Sequence, residues 1–166
     1  HAHEFAHMQA EIEKVETRLM AWHRADECSR RLAQIPGVGP IGASLLMMKT
    51  PAPELFRSGR DFAAWLGLTP RDHSTAGKAR PGTITRAGDA VLRSTLVQGA
   101  TALLQQVRMG RGNNASPWLV ELLQRKPPKL VAVALANKVA RIAWKMMVTG
   151  EPYKSRSAAP ALANAA

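Results

Sequence analysis

The sequence predicts an all-α fold: a small helical domain preceded by a long, coiled-coil-like helix. Three observations lead there. The 166 residues are 46% hydrophobic but only 5% aromatic, and Ala, Leu, Val and Met supply the apolar share, a palette that suits helices better than sheets. Phe5, Met8, Ile12, Val15, Leu19 and Trp22 alternate at three- and four-residue spacing, the a/d seam of a heptad repeat. Two later sets, Leu92, Leu96, Ala100, Leu103 and Val107, then Leu135, Val139, Ile142 and Met146, recur at the spacing of one helix face.

The first helix is expected over residues 3–34. Its seam allows two readings: half of a longer dimerising coiled coil, or a helix packed on the domain's own core. His7 and His23 are expected on the surface. Pro36 ends the approaching helix because a residue before proline is pushed out of the α region. Gly37 and Gly39 permit positive φ and close backbone approach, and Pro40 suits the first turn of a helix over residues 41–49. The pattern Ile35-Pro36-Gly37-Val38-Gly39-Pro40 followed by Ala43 is similar to a helix-hairpin-helix DNA-binding motif. In that reading a phosphate sits at the second helix's N-terminus; the alternative is a plain corner between two helices.

Residues 60–66 read as a short helix. Residues 71–88 read as a polar loop, too long for a simple turn, and such loops are usually functional or disordered. Asp89 is placed to cap the next helix. A loop follows over 110–116, a short helix over 117–124, a stiff break at Lys126-Pro127-Pro128-Lys129 and a last helix over 130–148. On that helix Lys138, Arg141 and Lys145 form a basic stripe that suits a phosphate backbone or, equally, plain solvent. The division is a linker helix over 1–30, a domain over 31–150 containing the helix-hairpin-helix motif, and a disordered tail over 151–166.

The net charge is +11 and the isoelectric point about 10.9. Residues 1–70 hold 8 Lys and Arg against 8 acids, residues 71–107 hold 5 against 2, and residues 108–166 hold 10 against 2. An excess confined to the second part of the chain points to a nucleic-acid partner. The longest apolar runs, such as Ala43 to Met48, are too short to span a bilayer, so no membrane partner is expected. Cys28 is the single cysteine, which excludes an intrachain disulfide and a cysteine-based zinc site. Residues 71–166 offer only Asp72, Asp89, Glu121 and Glu151 as carboxylates, unpaired at helical spacing. A self-contained two-metal nuclease needs three or four that converge, so no metal site is expected here.

The 71–93 stretch carries the chemistry. Ser74 stands beside His73 and ahead of Lys78, Arg80, Arg86 and Arg93. A serine hydroxyl becomes a nucleophile when its proton is taken and the developing charge is stabilised. Lys and Arg would neutralise a phosphoryl-transfer transition state, and guanidinium groups bind phosphate bidentately. The stretch is compatible with serine attack on DNA, or with a loop that only binds phosphate, or with one that contacts nothing.

An ordered set of motifs runs through the chain: Ile35-Pro36-Gly37-Val38-Gly39-Pro40, Phe56-Arg57-Ser58, Ala63-Ala64-Trp65-Leu66-Gly67-Leu68-Thr69-Pro70, His73-Ser74-Thr75-Ala76-Gly77-Lys78, Gly82-Thr83-Ile84-Thr85-Arg86-Ala87-Gly88-Asp89, Leu92-Arg93, and Ala134-Leu135-Ala136-Asn137-Lys138-Val139-Ala140-Arg141-Ile142-Ala143-Trp144. Over about residues 30–148 this set resembles the C-terminal transposase domain of the DEDD-type insertion-sequence transposases, the bridge-RNA-guided serine recombinases. The resemblance implies an N-terminal RuvC-like domain with four acidic ligands for Mg²⁺ and a coiled coil leading to the transposase domain. It implies a serine that joins DNA covalently, falling here on Ser74 with Thr75 as the alternative. It also implies homo-oligomers around a structured guide RNA, in the cytoplasm of bacteria at the nucleoid. The opening His1-Ala2-His3 has neither initiator Met nor signal peptide and reads as the start of a piece cut from a longer chain, without the acidic domain and inactive alone. The site residues expected are Ser74 for catalysis and Gly37, Gly39, Lys78, Arg80, Arg86, Arg93, Lys138, Arg141 and Lys145 for nucleic acid, with no cofactor in this part.

Overall fold

The structure, a computed structural model, describes residues 2–72, 81–111 and 115–154. Helix α1 (Ala2–Ala25) is followed by α2 (Glu27–Leu32). The single helix expected over 3–34 is broken at Asp26, whose carboxylate accepts the Ser29 N–H at 2.6 Å and so caps α2. A tight turn leads to α3 (Gly39–Lys49), and a 3₁₀ turn at Pro53–Leu55 leads to α4 (Gly59–Trp65), capped by Ser58 Oγ accepting from the Asp61 N–H.

Strands β1 (Pro70–Asp72) and β2 (Pro81–Ile84) pair antiparallel, with Pro70 opposite Ile84 and Asp72 opposite Pro81. This pair lies within the stretch expected to be loop alone. Helix α5 (Ala90–Arg108) starts at the Asp89 cap, which accepts the Leu92 N–H at 2.9 Å. Helices α6 (Pro117–Arg125) and α7 (Pro128–Thr149) complete the described chain, and α7 stops at Gly150 in the left-handed conformation, φ 69°. The fold is mostly α, as the composition predicts, with one small two-stranded sheet.

Helix α7 is the spine. It packs along α5, and α4 and α2 close its flanks, while α3 leans on α5. Val131, Leu135, Val139 and Met146 are buried with Ala132, Ala136, Ala140 and Ala143 between them. The alanines let neighbouring backbones come near. On α5 the buried set is Leu92, Leu96, Ala100 and Leu104, with Leu103 and Val107 half-buried beside it. Leu103 and Val107, expected on this face, pack against the core from its edge.

The turn before α3 shows why it carries glycine. Gly37 has φ +87°, and a Cβ built on Gly99 of α5 would lie 1.7 Å from the Gly37 carbonyl oxygen. Two backbones touch there with no side chain between them.

Helix α1 is divided along its length. Phe5, Met8, Ile12 and Val15 are exposed, whereas Leu19 and Met20 are half-buried where α1 meets α2 and α3. Among the two readings of the heptad seam, packing on the domain's own core holds only for this last part. His23 is not the surface residue its neutral context suggested. It is 7% exposed, and its Nδ1 is hydrogen-bonded to the buried Ser29 Oγ at 2.7 Å. The partner stands on the next helix, beyond the break at Asp26.

Candidate nucleic-acid site

Four expected residues, Ser74, Thr75, Lys78 and Arg80, lie outside the described residues. The structure describes the frame on either side of residues 73–80. Beyond the strand pair, the Thr85 N–H donates to the Thr69 carbonyl at 2.9 Å and the Arg86 N–H to the Gly67 carbonyl at 3.2 Å. Arg86 adopts φ 58°, the left-handed region, which non-glycine residues seldom enter. Gly67 and Gly88 stand back to back across this frame. A Cβ on Gly67 would fall 2.3 Å from the Ala87 oxygen, and one on Gly88 would fall 1.9 Å from the Trp65 oxygen.

Two side chains fasten the frame to the helices. Arg93 Nη1, one turn into α5, donates to the Leu66 carbonyl at 3.2 Å and to the Ala87 carbonyl at 2.8 Å, bridging its two halves. Asn137 Nδ2 on α7 donates to the Leu68 carbonyl at 3.1 Å. Lys49, at the end of α3, pairs with Asp89 at 2.5 Å. The Lys49 hydrogen bond, followed by the Leu92 N–H, holds the Asp89 carboxyl below the usual range. The cap of α5 is therefore anionic and tied to α3 at the base of the frame.

The structure places the described members of the expected set as follows. Arg93 is half-buried, and its Nη1 holds two backbone carbonyls. Arg86 is exposed beside the strand end. Gly37 makes its close approach to Gly99 of this same chain. Gly39 has φ +61° with open space where a Cβ would be, and α3 begins there without a side-chain cap.

Lys138, Arg141 and Lys145 do share one side of α7. Arg141 and Lys145 are exposed. Lys138 is half-buried, with Nζ 3.9 Å from the centroid of the Trp118 ring on α6. Because Asn137 adjoins Lys138, α7 joins the frame around residues 73–80 to the basic stripe. Trp118 and Asn137 were not singled out in the sequence. Trp118 carried a faint signal, as one of only four tryptophans and the first-turn residue of a short helix before a basic break. Asn137 stood only as one member of the Ala134–Trp144 motif, and only the fold brings it to Leu68.

Among the described residues no three His, Cys, Asp or Glu side chains gather as metal ligands, and no helix is long and apolar enough to cross a membrane.

Comparison with known proteins gives the frame its family. The model of the transposase IS116/IS110/IS902 family matches residues 29–114, which include the end of α2, then α3, α4, the frame and α5. The chain is 69% identical over 154 residues to a Sinorhizobium fredii protein named as a transposase, covering 93% of this chain and 40% of that one. It is 44% identical over 147 residues to a Pseudomonas aeruginosa protein named as a family 20 transposase, covering 89% and 43%. It is 41% identical over 153 residues to the transposase for insertion sequence element IS1328 of Yersinia enterocolitica, covering 92% and 45%. The chain thus spans less than half the length of these relatives. On the match to more than half of its own length, the chain belongs to the IS116/IS110/IS902 family of transposases.

Proposed function

We propose that this chain is the C-terminal part of a DNA transposase and that it supplies the serine nucleophile for strand exchange. One observation carries the reading: in a chain of a transposase family, Ser74 falls in sequence between two paired strands whose flanking backbone, at Leu66, Leu68 and Ala87, is tied to α5 and α7 by Arg93 and Asn137. A nucleophile needs a fixed origin more than a rigid loop, because orientation is what lowers the barrier.

In this reading Ser74 Oγ attacks a DNA phosphorus and a new P–O bond forms as the hydroxyl gives up its proton. The bond from phosphorus to the strand's own ester oxygen breaks, and that oxygen leaves with a proton. A hydroxyl of the incoming strand then attacks the phosphoserine, and Ser74 recovers its proton. Lys78, Arg80 and Arg86 lie in or beside the segment and offset the added charge of the transition state. Thr75 is the alternative nucleophile. The wider assembly is a homo-oligomer on DNA and a structured guide RNA, with a RuvC-like domain outside this chain binding Mg²⁺.

Ser74→Ala in a full-length transposase carrying this chain abolishes recombination and leaves nucleic-acid binding intact. Wild-type protein stalled on substrate yields a DNA adduct that survives denaturation, with the nucleotide on Ser74. Normal recombination by Ser74→Ala, or an adduct elsewhere, rejects the assignment. A second reading, a binding and dimerisation module without chemistry, draws on the exposed seam of Phe5, Met8, Ile12 and Val15. It predicts no adduct at all.

A further inference from the structure

Helices α6 and α7, the start of α4, the end of α5, the turn before α3 and the strap at residues 150–154 line an open groove of about 1130 Å³. The strap is fixed at its start. Gly150 caps α7, and its carbonyl accepts from Arg31 Nη1 on α2 at 2.7 Å. The volume exceeds the roughly 300–1,000 Å³ of ordinary small-molecule pockets. Six cations line it: Arg60, Arg111, Lys138, Arg141, Lys145 and Lys154. One carboxylate, Glu151, also lines it and is paired with Lys154 at 3.7 Å. Trp118 opens onto the groove with 36% of its surface exposed, its indole steadied by Lys138. Tyr153 lines the strap side, half-buried.

We propose that this groove binds a single-stranded stretch of nucleic acid, with phosphates along Arg60, Arg141 and Lys145 and a base stacked on Trp118. Charge alone would serve a duplex as well. The concave shape and the exposed indole decide between them. A duplex keeps its base faces inside the stack, and a basic channel with an aromatic platform is the arrangement that takes unpaired bases regardless of sequence. The stripe on α7 is thus one wall of a channel rather than a flat basic surface. The inference rests on the reading of the chain as part of a nucleic-acid enzyme, but needs no covalent step.

The test uses the 166-residue chain with fluorescently labelled oligonucleotides of one length as single-stranded DNA, single-stranded RNA and duplex DNA. Both or either single strand binds more tightly than the duplex, and the stronger of the two names the sugar the groove accepts. Trp118→Ala weakens single-strand binding about 5- to 150-fold and leaves duplex binding unchanged, while Trp118→Phe retains most of it. Arg141→Ala and Lys145→Ala, both exposed and removable without disturbing the core, each lower the slope of log affinity against log salt by about 0.7. Tighter binding of the duplex overturns the proposal. So does unchanged single-strand affinity in folded Trp118→Ala, or unchanged salt slopes in the two α7 variants. Failure to trap an adduct on Ser74 would reject the catalytic reading and leave these affinities standing.

Discussion

Helices α1 and α7 are nearly equal in length, 24 and 22 residues, and both carry apolar side chains at three- and four-residue spacing. Their surroundings differ sharply. On α7 the stripe is buried from Val131 to Met146 against α5 and α4. On α1 the stripe from Phe5 to Val15 is exposed, and only the last turns reach the core. Periodicity therefore states that a face exists and says nothing of what covers it. What separates the two is the filling between the large side chains. Helix α7 places Ala132, Ala136, Ala140 and Ala143 where neighbouring backbones draw close. Helix α1 surrounds its seam with Glu11, Glu13, Lys14 and Glu16, which stay solvated and keep other helices of the domain away.

The strongest way to break this comparison is to shorten one large side chain on each helix. Leu135→Ala is expected to cost about 2–5 kcal/mol, through lost transfer energy and a cavity that the packed helices cannot fill. Ile12→Ala is expected to change the isolated chain's stability by less than about 0.5 kcal/mol. Urea unfolding of both variants checks the pair. Similar costs would mean that the seam of α1 is covered in solution, and sedimentation at several concentrations would then locate the partner in a second copy.

A smaller effect sharpens the contrast between the helical core and the frame around residues 73–80. Arg93→Ala removes the charged donor shared by the Leu66 and Ala87 carbonyls and should cost about 1.5–3 kcal/mol. Denaturation measures the cost. Faster hydrogen exchange at the Arg86 and Thr85 amides, with α7 unchanged, would separate a loosened frame from general unfolding.

The smallest expected effect concerns the tie between α3 and α5. The Asp89 carboxyl is held below its ordinary value by the Lys49 hydrogen bond and the Leu92 N–H. Its contribution is therefore present above the unfolded value near pH 4 and is lost as the pH falls through the lower folded value. Asp89→Asn should flatten the acid limb of the melting temperature below about pH 4, and salt should shrink the difference because the pair is solvated. An identical acid limb in the variant would remove Asp89 from the pH dependence.

Most helices were legible in the sequence because their signals are local. Asp89 caps α5 as read, and Pro40 stands in the first turn of α3. Asp26 was equally readable as a cap, but the unbroken seam before it drew the helix across the boundary. The β1–β2 pair was not legible. Its strands are three and four residues long, begin with proline and carry no alternating pattern, so they are held by the frame rather than by their own side chains. The same limit applies to His23, Gly37 and Asn137. Their partners Ser29, Gly99 and Leu68 lie across a helix break or far along the chain, and nothing in the composition of either neighbourhood announces them. At the candidate site the residue types were legible, but the backbone contacts were not: nothing around Arg93 in the sequence announces that its Nη1 bridges the Leu66 and Ala87 carbonyls.

The close packing of Gly67 on Ala87 and of Gly88 on Trp65 has a consequence for how such a chain can change. Backbone meets backbone there, so the distance between the walls of the frame is independent of whatever is strung between them. A side chain added at either glycine would force the two walls apart, so these two positions limit how the frame can change more tightly than any apolar position around them.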